Sequence, residues 1–212
     1  MKGDYATMIT AHAGAEQTQP NTVESFRKLV TLGVDAIETD VRLSGGVLWL
    51  SHNELEPVKH YDTLEELFAI VQPREGLLVN IDLKEEGLVP AVTELAERCG
   101  MAGRFLFTGS VGASDADFIH AHHLTAWYNE FLFTPEEAKD AFASLAQKGF
   151  DVLNTHWGLA SQSRVEQYGP EHFSVWTVDS EEQLTDFLRR GVRNITTRIP
   201  CTALRLRGEI QR

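Results

Sequence analysis

Short runs rich in β-branched and aromatic residues alternate with amphipathic stretches from one end of the chain to the other. The runs fall at 7–11, 35–40, 77–82, 104–108, 124–128, 150–154, 173–177 and 194–197. Each is followed by a stretch with helical spacing, at 21–32, 63–70, 89–98, 113–120, 135–147, 161–168, 181–190 and 200–206. Such alternation predicts parallel strands joined by helical crossovers. The punctuation agrees. Thr134-Pro135-Glu136-Glu137 and Ser180-Glu181-Glu182 place acids at the positive end of a helix dipole, and Gly33, Gly100, Gly149 and Gly191 stand near helix ends. Between the second and third units, 42–50 holds a Ser44-Gly45-Gly46 turn and reads as an extended excursion ending at Ser51-His52-Asn53.

Eight β/α units predict an α/β fold, a (β/α)8 barrel formed by residues 1–212 as a single domain. An open doubly wound sheet is the competitor. The barrel is favoured because residues able to do chemistry recur at the C-terminal ends of different strands. The length of 212 residues agrees, at roughly 150 residues per domain. Hydrophobic residues at 42% and charged residues at 24% are globular values that exclude wholesale disorder.

Charge narrows the partners. Lys and Arg number 19 against 31 Asp and Glu, a net charge of −12 that repels phosphate polymers, so nucleic acid is not expected. Cys99 and Cys201 lie in no metal or redox motif and read as ordinary thiols. Residues 1–10 lack a long apolar core, and no stretch reaches the ~18 apolar residues of a membrane span, so a cytoplasmic protein is expected.

The candidate chemistry lies at strand ends. The first strand ends in Ala11-His12-Ala13-Gly14, the second in Glu38-Thr39-Asp40, the excursion in Ser51-His52-Asn53 and the third in Asp82-Leu83-Lys84. Residues two apart on a strand share a face, so Glu38 and Asp40 point to one side and repel each other unless a cation lies between them. With Asp82 from the neighbouring strand, the donors are all oxygen, which suits Mg2+ or Ca2+. Lys84 and two histidines beside such a cluster point to a phosphate-handling site. His120, His122 and His123 straddle a helix end and read as a solvated junction. Glu130 and His156 would lie at the same rim and read as loop hydrogen-bonding residues.

The ordered series resembles the glycerophosphodiester phosphodiesterase family of (β/α)8 barrels across nearly the whole chain. His12-Ala13-Gly14 stands where that family has His-Arg-Gly, and Asn21-Thr22 with Phe26 resembles its Glu-Asn-Thr-x-x-Ala-Phe helix start. Glu38-Thr39-Asp40-Val41 resembles its Glu-x-Asp-Val, His52-Asn53 its His-Asp, and the stretch from Asn80 to Lys84 its Asn-Ile-Glu-x-Lys. Trp176-Thr177-Val178-Asp179 resembles its Trp-Thr-Val-Asn, and the stretch from Gly191 to Thr197 its Gly-Val-Asp-x-Ile-x-Thr-Asp. The resemblance implies a phosphoric diester hydrolase that releases glycerol phosphate and an alcohol from a small phosphodiester. It also implies that His12 and His52 are the acid–base pair, that Glu38, Asp40 and Asp82 hold one divalent ion, that Lys84 contacts phosphate and that Trp176 lines the pocket.

The departures are specific. The Arg after the first His is Ala13, which removes a bidentate donor. The Glu before Asn-Thr is Pro20, the Asp after the second His is Asn53, and the late Thr-Asp is read as Thr196-Thr197. Asp82 replaces Glu, and the insertion after the second His shrinks to about the dozen residues of 54–65. The alternative function is a non-catalytic or substrate-shifted barrel that binds a phosphorylated ligand.

Overall fold

The computed structural model describes residues 6–211. Nine strands form one sheet: β1 (Met8–Ala11), β2 (Ala36–Ser44), β3 (Val47–Leu50), β4 (Leu78–Leu83), β5 (Phe105–Gly109), β6 (Tyr128–Asn129), β7 (Leu153–His156), β8 (Phe173–Trp176) and β9 (Asn194–Thr197). Their order is β5-β4-β2-β1-β9-β8-β7-β6, with β3 attached only to β2. The eight strands of the main path pair in parallel. A parallel bridge from Phe107 to Ala126 brings the two ends of the path together, which makes a (β/α)8 barrel as expected. The helices are α1 (Val23–Leu29), α2 (Leu64–Val71), α3 (Val89–Arg98), α4 (Ala116–Ala121), α5 (Ala141–Gln147), α6 (Gln162–Tyr168), α7 (Glu181–Arg190) and α8 (Pro200–Ile210). None is long and apolar enough to cross a membrane.

Alternation along the strands divides the apolar residues between two places. Ile9, Ala11, Phe105, Phe107, Leu153 and Ile195 belong to the large core shared with the helices. Their neighbours Met8, Leu106, Trp127 and Val152 form a separate small cluster on the opposite face, the floor of the barrel interior. Above that floor runs a polar belt. Thr10 donates to Asn194 Oδ1 (2.6 Å), Asn194 to Ser174 (3.0 Å), Ser174 to Asn154 (2.8 Å) and Asn154 to Asn129 (2.8 Å). Buried amides and hydroxyls stay satisfied by one another, as burial requires.

Beyond shifts of element ends, such as β7 at Leu153–His156 where 150–154 was expected, three elements differ from expectation. The 42–50 excursion is a hairpin in which β2 pairs antiparallel with β3 across Gly45 and Gly46, whose φ of 59° and 78° fit a two-residue type I′ turn. The expected helix at 135–147 divides, because Asp140 leaves the helical region and caps α5 by accepting from the Ala143 N–H at 3.1 Å. The strand expected at 124–128 moves to the two residues Tyr128–Asn129, and the preceding Ala126 bridges to β5.

Candidate active site

β2 presents Glu38 and Asp40 inward, each 5% exposed, and β4 sets Asp82 in register with Asp40. One carboxylate oxygen from each of Glu38, Asp40 and Asp82 lies within 4.8 Å of the others. Each acid is fixed by a separate device. Glu38 Oε2 accepts the Ala13 N–H at 2.9 Å. Asp40 accepts the Asn21 amide on Oδ2 at 2.7 Å and the Lys84 ammonium on Oδ1 at 2.7 Å. Lys84 also reaches Asp82 Oδ1 at 3.2 Å.

Asn21 is a positioning residue that sequence reasoning quoted only as part of a helix start. Its φ is 57°, and its Oδ1 accepts from Thr39 Oγ1 (3.0 Å) and from the Asp40 N–H (3.1 Å) while its amide donates to the carboxylate. Gly109 was missed as well. Its φ is 81°, and a Cβ there would collide with the Asp82 carboxylate and the Leu83 backbone, so the close approach of β5 to Asp82 requires glycine.

Negative charge exceeds positive at this centre. Burial, reinforced by Asp40 and Asp82, raises the Glu38 carboxyl well above the usual range. Burial also raises Asp82, to about 6, with Lys84 opposing and Asp40 adding to the shift. Burial disfavours the Lys84 ammonium, but Asp82 and Asp40 outweigh it and hold the amine above its ordinary value. Three crowded oxygen donors with one ammonium among them fit a hard divalent cation.

His12 follows β1, and its Nδ1–H donates to the Ala13 carbonyl, which leaves the lone pair on Nε2. Nδ1 also lies 3.9 Å from Glu38 Oε2. Burial lowers the His12 pKa below the usual imidazole value, the Ala13 carbonyl opposes this, and Arg198 adds to the lowering. His52 is exposed beyond β3, with Nδ1 3.0 Å from the Asn53 side-chain oxygen, which likewise leaves the lone pair on Nε2. A cavity of about 380 Å3 gathers His12, His52, Glu38, Asp40, Asp82, Lys84 and Trp176, so every residue expected at the site borders one space. The Trp176 indole N–H is buried without a hydrogen-bond partner among the described residues.

His156 and Glu130 do not line that cavity. The His156 ring accepts the Gly158 N–H at 3.1 Å, and Glu130 pairs with Arg164 at 2.7 Å, the loop roles expected of them. Among the described residues, His120, His122 and His123 join no metal-ligating cluster.

Arg198, which sequence reasoning passed over, lines the cavity at the end of β9. The signal was in the family pattern: laid residue by residue from Gly191, its terminal Thr-Asp falls on Thr197-Arg198, one position later than Thr196-Thr197. A guanidinium therefore stands at an acidic position, and Asp179, where the pattern has Asn, pairs with it at 2.8 Å.

Residues 12–85 match the Glycerophosphoryl diester phosphodiesterase family. The glycerophosphodiester phosphodiesterase of Bacillus altitudinis is 25% identical, over 97% of this chain and 100% of its own length. A crystal structure of a glycerophosphodiester phosphodiesterase from Parabacteroides distasonis superposes with a TM-score of 0.81 at 20% identity, covering 99% of this chain and 100% of the other. The Oleispira antarctica phosphodiesterase, whose structure holds the product sn-glycerol-3-phosphate, superposes with a TM-score of 0.75 at 17% identity, covering 95% and 96%. The family match over residues 12–85 and the end-to-end likeness to relatives named glycerophosphodiester phosphodiesterase make this chain similar to a family of phosphoric diester hydrolases, on the same barrel.

Proposed function

We propose that this chain, as one catalytic domain in the cytoplasm, is a divalent-metal-dependent phosphodiesterase. In this reading it splits a glycerophosphodiester, or a related small phosphodiester, into glycerol phosphate and an alcohol. The observation that carries the reading is the convergence of two imidazoles and three carboxylates on one cavity. Glu38, Asp40 and Asp82 would hold Mg2+ or Ca2+, which when bound neutralises charge on the non-bridging oxygens of the diester. Lys84 and Trp176 are substrate contacts, the first a cation for phosphate and the second a wall of the pocket.

His12 is the general base. Burial favours its neutral form, and the Ala13 carbonyl holds the proton on Nδ1, so Nε2 can take a proton from the attacking hydroxyl, either water or a neighbouring hydroxyl of the glycerol moiety. His52, exposed beyond β3 on the same cavity, is the general acid that returns a proton to the departing alkoxide. One proton is taken and one is given, and the P–O bond to the alcohol breaks as the new P–O bond forms. Attack by water gives glycerol phosphate directly, whereas attack by the neighbouring hydroxyl gives a cyclic phosphate whose ring P–O bond a water molecule then opens to glycerol phosphate.

Steady-state kinetics with Mg2+ test the assignment. His12→Ala and His52→Ala should each lose on the order of 10²–10⁴-fold in kcat while remaining folded. An activated nitrophenyl diester, whose leaving group needs little protonation, should rescue His52→Ala and not His12→Ala. Wild-type protein that turns over glycerophosphodiesters and activated diesters no faster than His12→Ala would leave no enzyme to explain.

A further inference from the structure

A phosphodiester is an anion, and a cavity that encloses it needs positive groups beyond those that neutralise the protein's own acids. Two cationic side chains line the cavity, Lys84 and Arg198. Lys84 is held between Asp40 and Asp82 at 2.7 and 3.2 Å. Arg198 is fixed from one side only. Asp179, in the loop after β8, accepts the Arg198 backbone N–H on Oδ1 and Nη1–H on Oδ2, both at 2.8 Å. Among the described residues the rest of the guanidinium has no partner, and the side chain is 51% exposed. A planar fork anchored by one arm keeps its other N–H groups for an anion.

The location is suitable. In chain order β8 and β9 are the seventh and eighth of the eight barrel strands, and barrels frequently bind phosphate in the loops that follow those strands. Thr197 accepts the His12 backbone N–H at 2.9 Å, so the residue after it stands beside the first imidazole. No cation comes from the segment after β1, where residue 13 is an alanine, 1% exposed and outside the cavity lining.

We propose that Arg198, anchored by Asp179, binds a non-bridging oxygen of the substrate phosphate and so supplies from the end of β9 the guanidinium that residue 13 lacks. The inference rests on the phosphodiesterase reading for its substrate but not for its ligand, since inorganic phosphate probes the same contact without turnover.

The test pairs calorimetry of inorganic phosphate binding to the Mg2+-loaded protein with kinetics on a glycerophosphodiester and on bis(nitrophenyl) phosphate. Arg198→Ala should weaken phosphate binding and raise KM for both diesters by a similar factor, on the order of 10- to 100-fold, with kcat changed little. Arg198→Lys, which keeps the charge but not the fork, should fall between. Guanidinium ion at millimolar concentration should restore part of the Arg198→Ala loss, which a purely structural role would not allow. Phosphate affinity unchanged in Arg198→Ala overturns the inference, as does a KM effect confined to diesters whose alcohol carries its own negative charge. Arg198-dependent phosphate binding by a wild-type protein that hydrolyses nothing would sustain the inference and remove the phosphodiesterase reading. If wild-type protein neither binds phosphate nor hydrolyses a diester, both fail.

Discussion

In the proposed metal site a carboxylate works best when its orientation is already set, and Asn21 sets it for Asp40. A single side-chain amide donates to the carboxylate at 2.7 Å and uses its oxygen to hold the Asp40 backbone N–H at 3.1 Å. Groups that orient a ligand without touching the metal typically contribute 10- to 100-fold in affinity. Asn21→Ala is therefore expected to weaken Mg2+ binding by about that factor, read from the metal concentration needed to shift the melting temperature, with the barrel intact by circular dichroism. Asn21→Asp keeps the shape but sets a second negative charge against Asp40, and should weaken binding at least as much. An affinity unchanged in both would mean that Lys84 alone orients the carboxylate.

At the scale of elements, the signals that were readable were local and strong. α2 is an example: Thr63 accepts the Glu66 N–H at 3.2 Å while Glu66 accepts the Thr63 N–H at 2.8 Å, a reciprocal cap written in the sequence as Thr-x-x-Glu. Thr63→Ala should lower stability by roughly 0.5–2 kcal/mol, measured by urea denaturation, with kcat untouched because α2 lies outside the cavity lining. The eight units, β9 and α3 to the residue, and both inward acids of β2 were legible for the same reason, since strand alternation and helix punctuation are short-range. The division of the helix expected at 135–147 was not, because the acids that suit one helix start at Thr134 are followed by a second capping residue, Asp140, and either register satisfies the sequence. β6 was overextended because Leu124–Tyr128 has strand composition, whereas closing the barrel needs only the Ala126 bridge and two paired residues. Gly109 and Asn21 act across strands, through a close approach and a left-handed backbone, and their spacing along the chain gives no hint of that.

For the molecule as a whole, the question is whether a divalent ion acts at the site or merely screens a chain of net charge −12. Screening stabilises any such protein a little and fades as pH falls towards the isoelectric point of about 5.1, whereas the site has its own proton linkage and its own ligands, so the decisive comparison is with a variant that lacks one of them. Burial and neighbouring acids raise Asp82 to about 6 and Glu38 in the same direction. A carboxyl whose pKa is higher in the folded state than in the unfolded one keeps its proton longer when folded. Its contribution to stability is present below the unfolded value near 4 and is lost as pH rises through about 6. The metal-free protein should accordingly lose stability from this pair over that interval. Metal binding has the opposite sign, because ligands must be deprotonated and protons compete for them. Mg2+ at millimolar concentration should raise the melting temperature strongly at pH 8, by linkage to the folded state, and little at pH 5. In Asp40→Ala only the weak screening shift should remain. A Mg2+-induced shift at pH 8 that survives undiminished in Asp40→Ala would place the ion on the surface rather than among Glu38, Asp40 and Asp82.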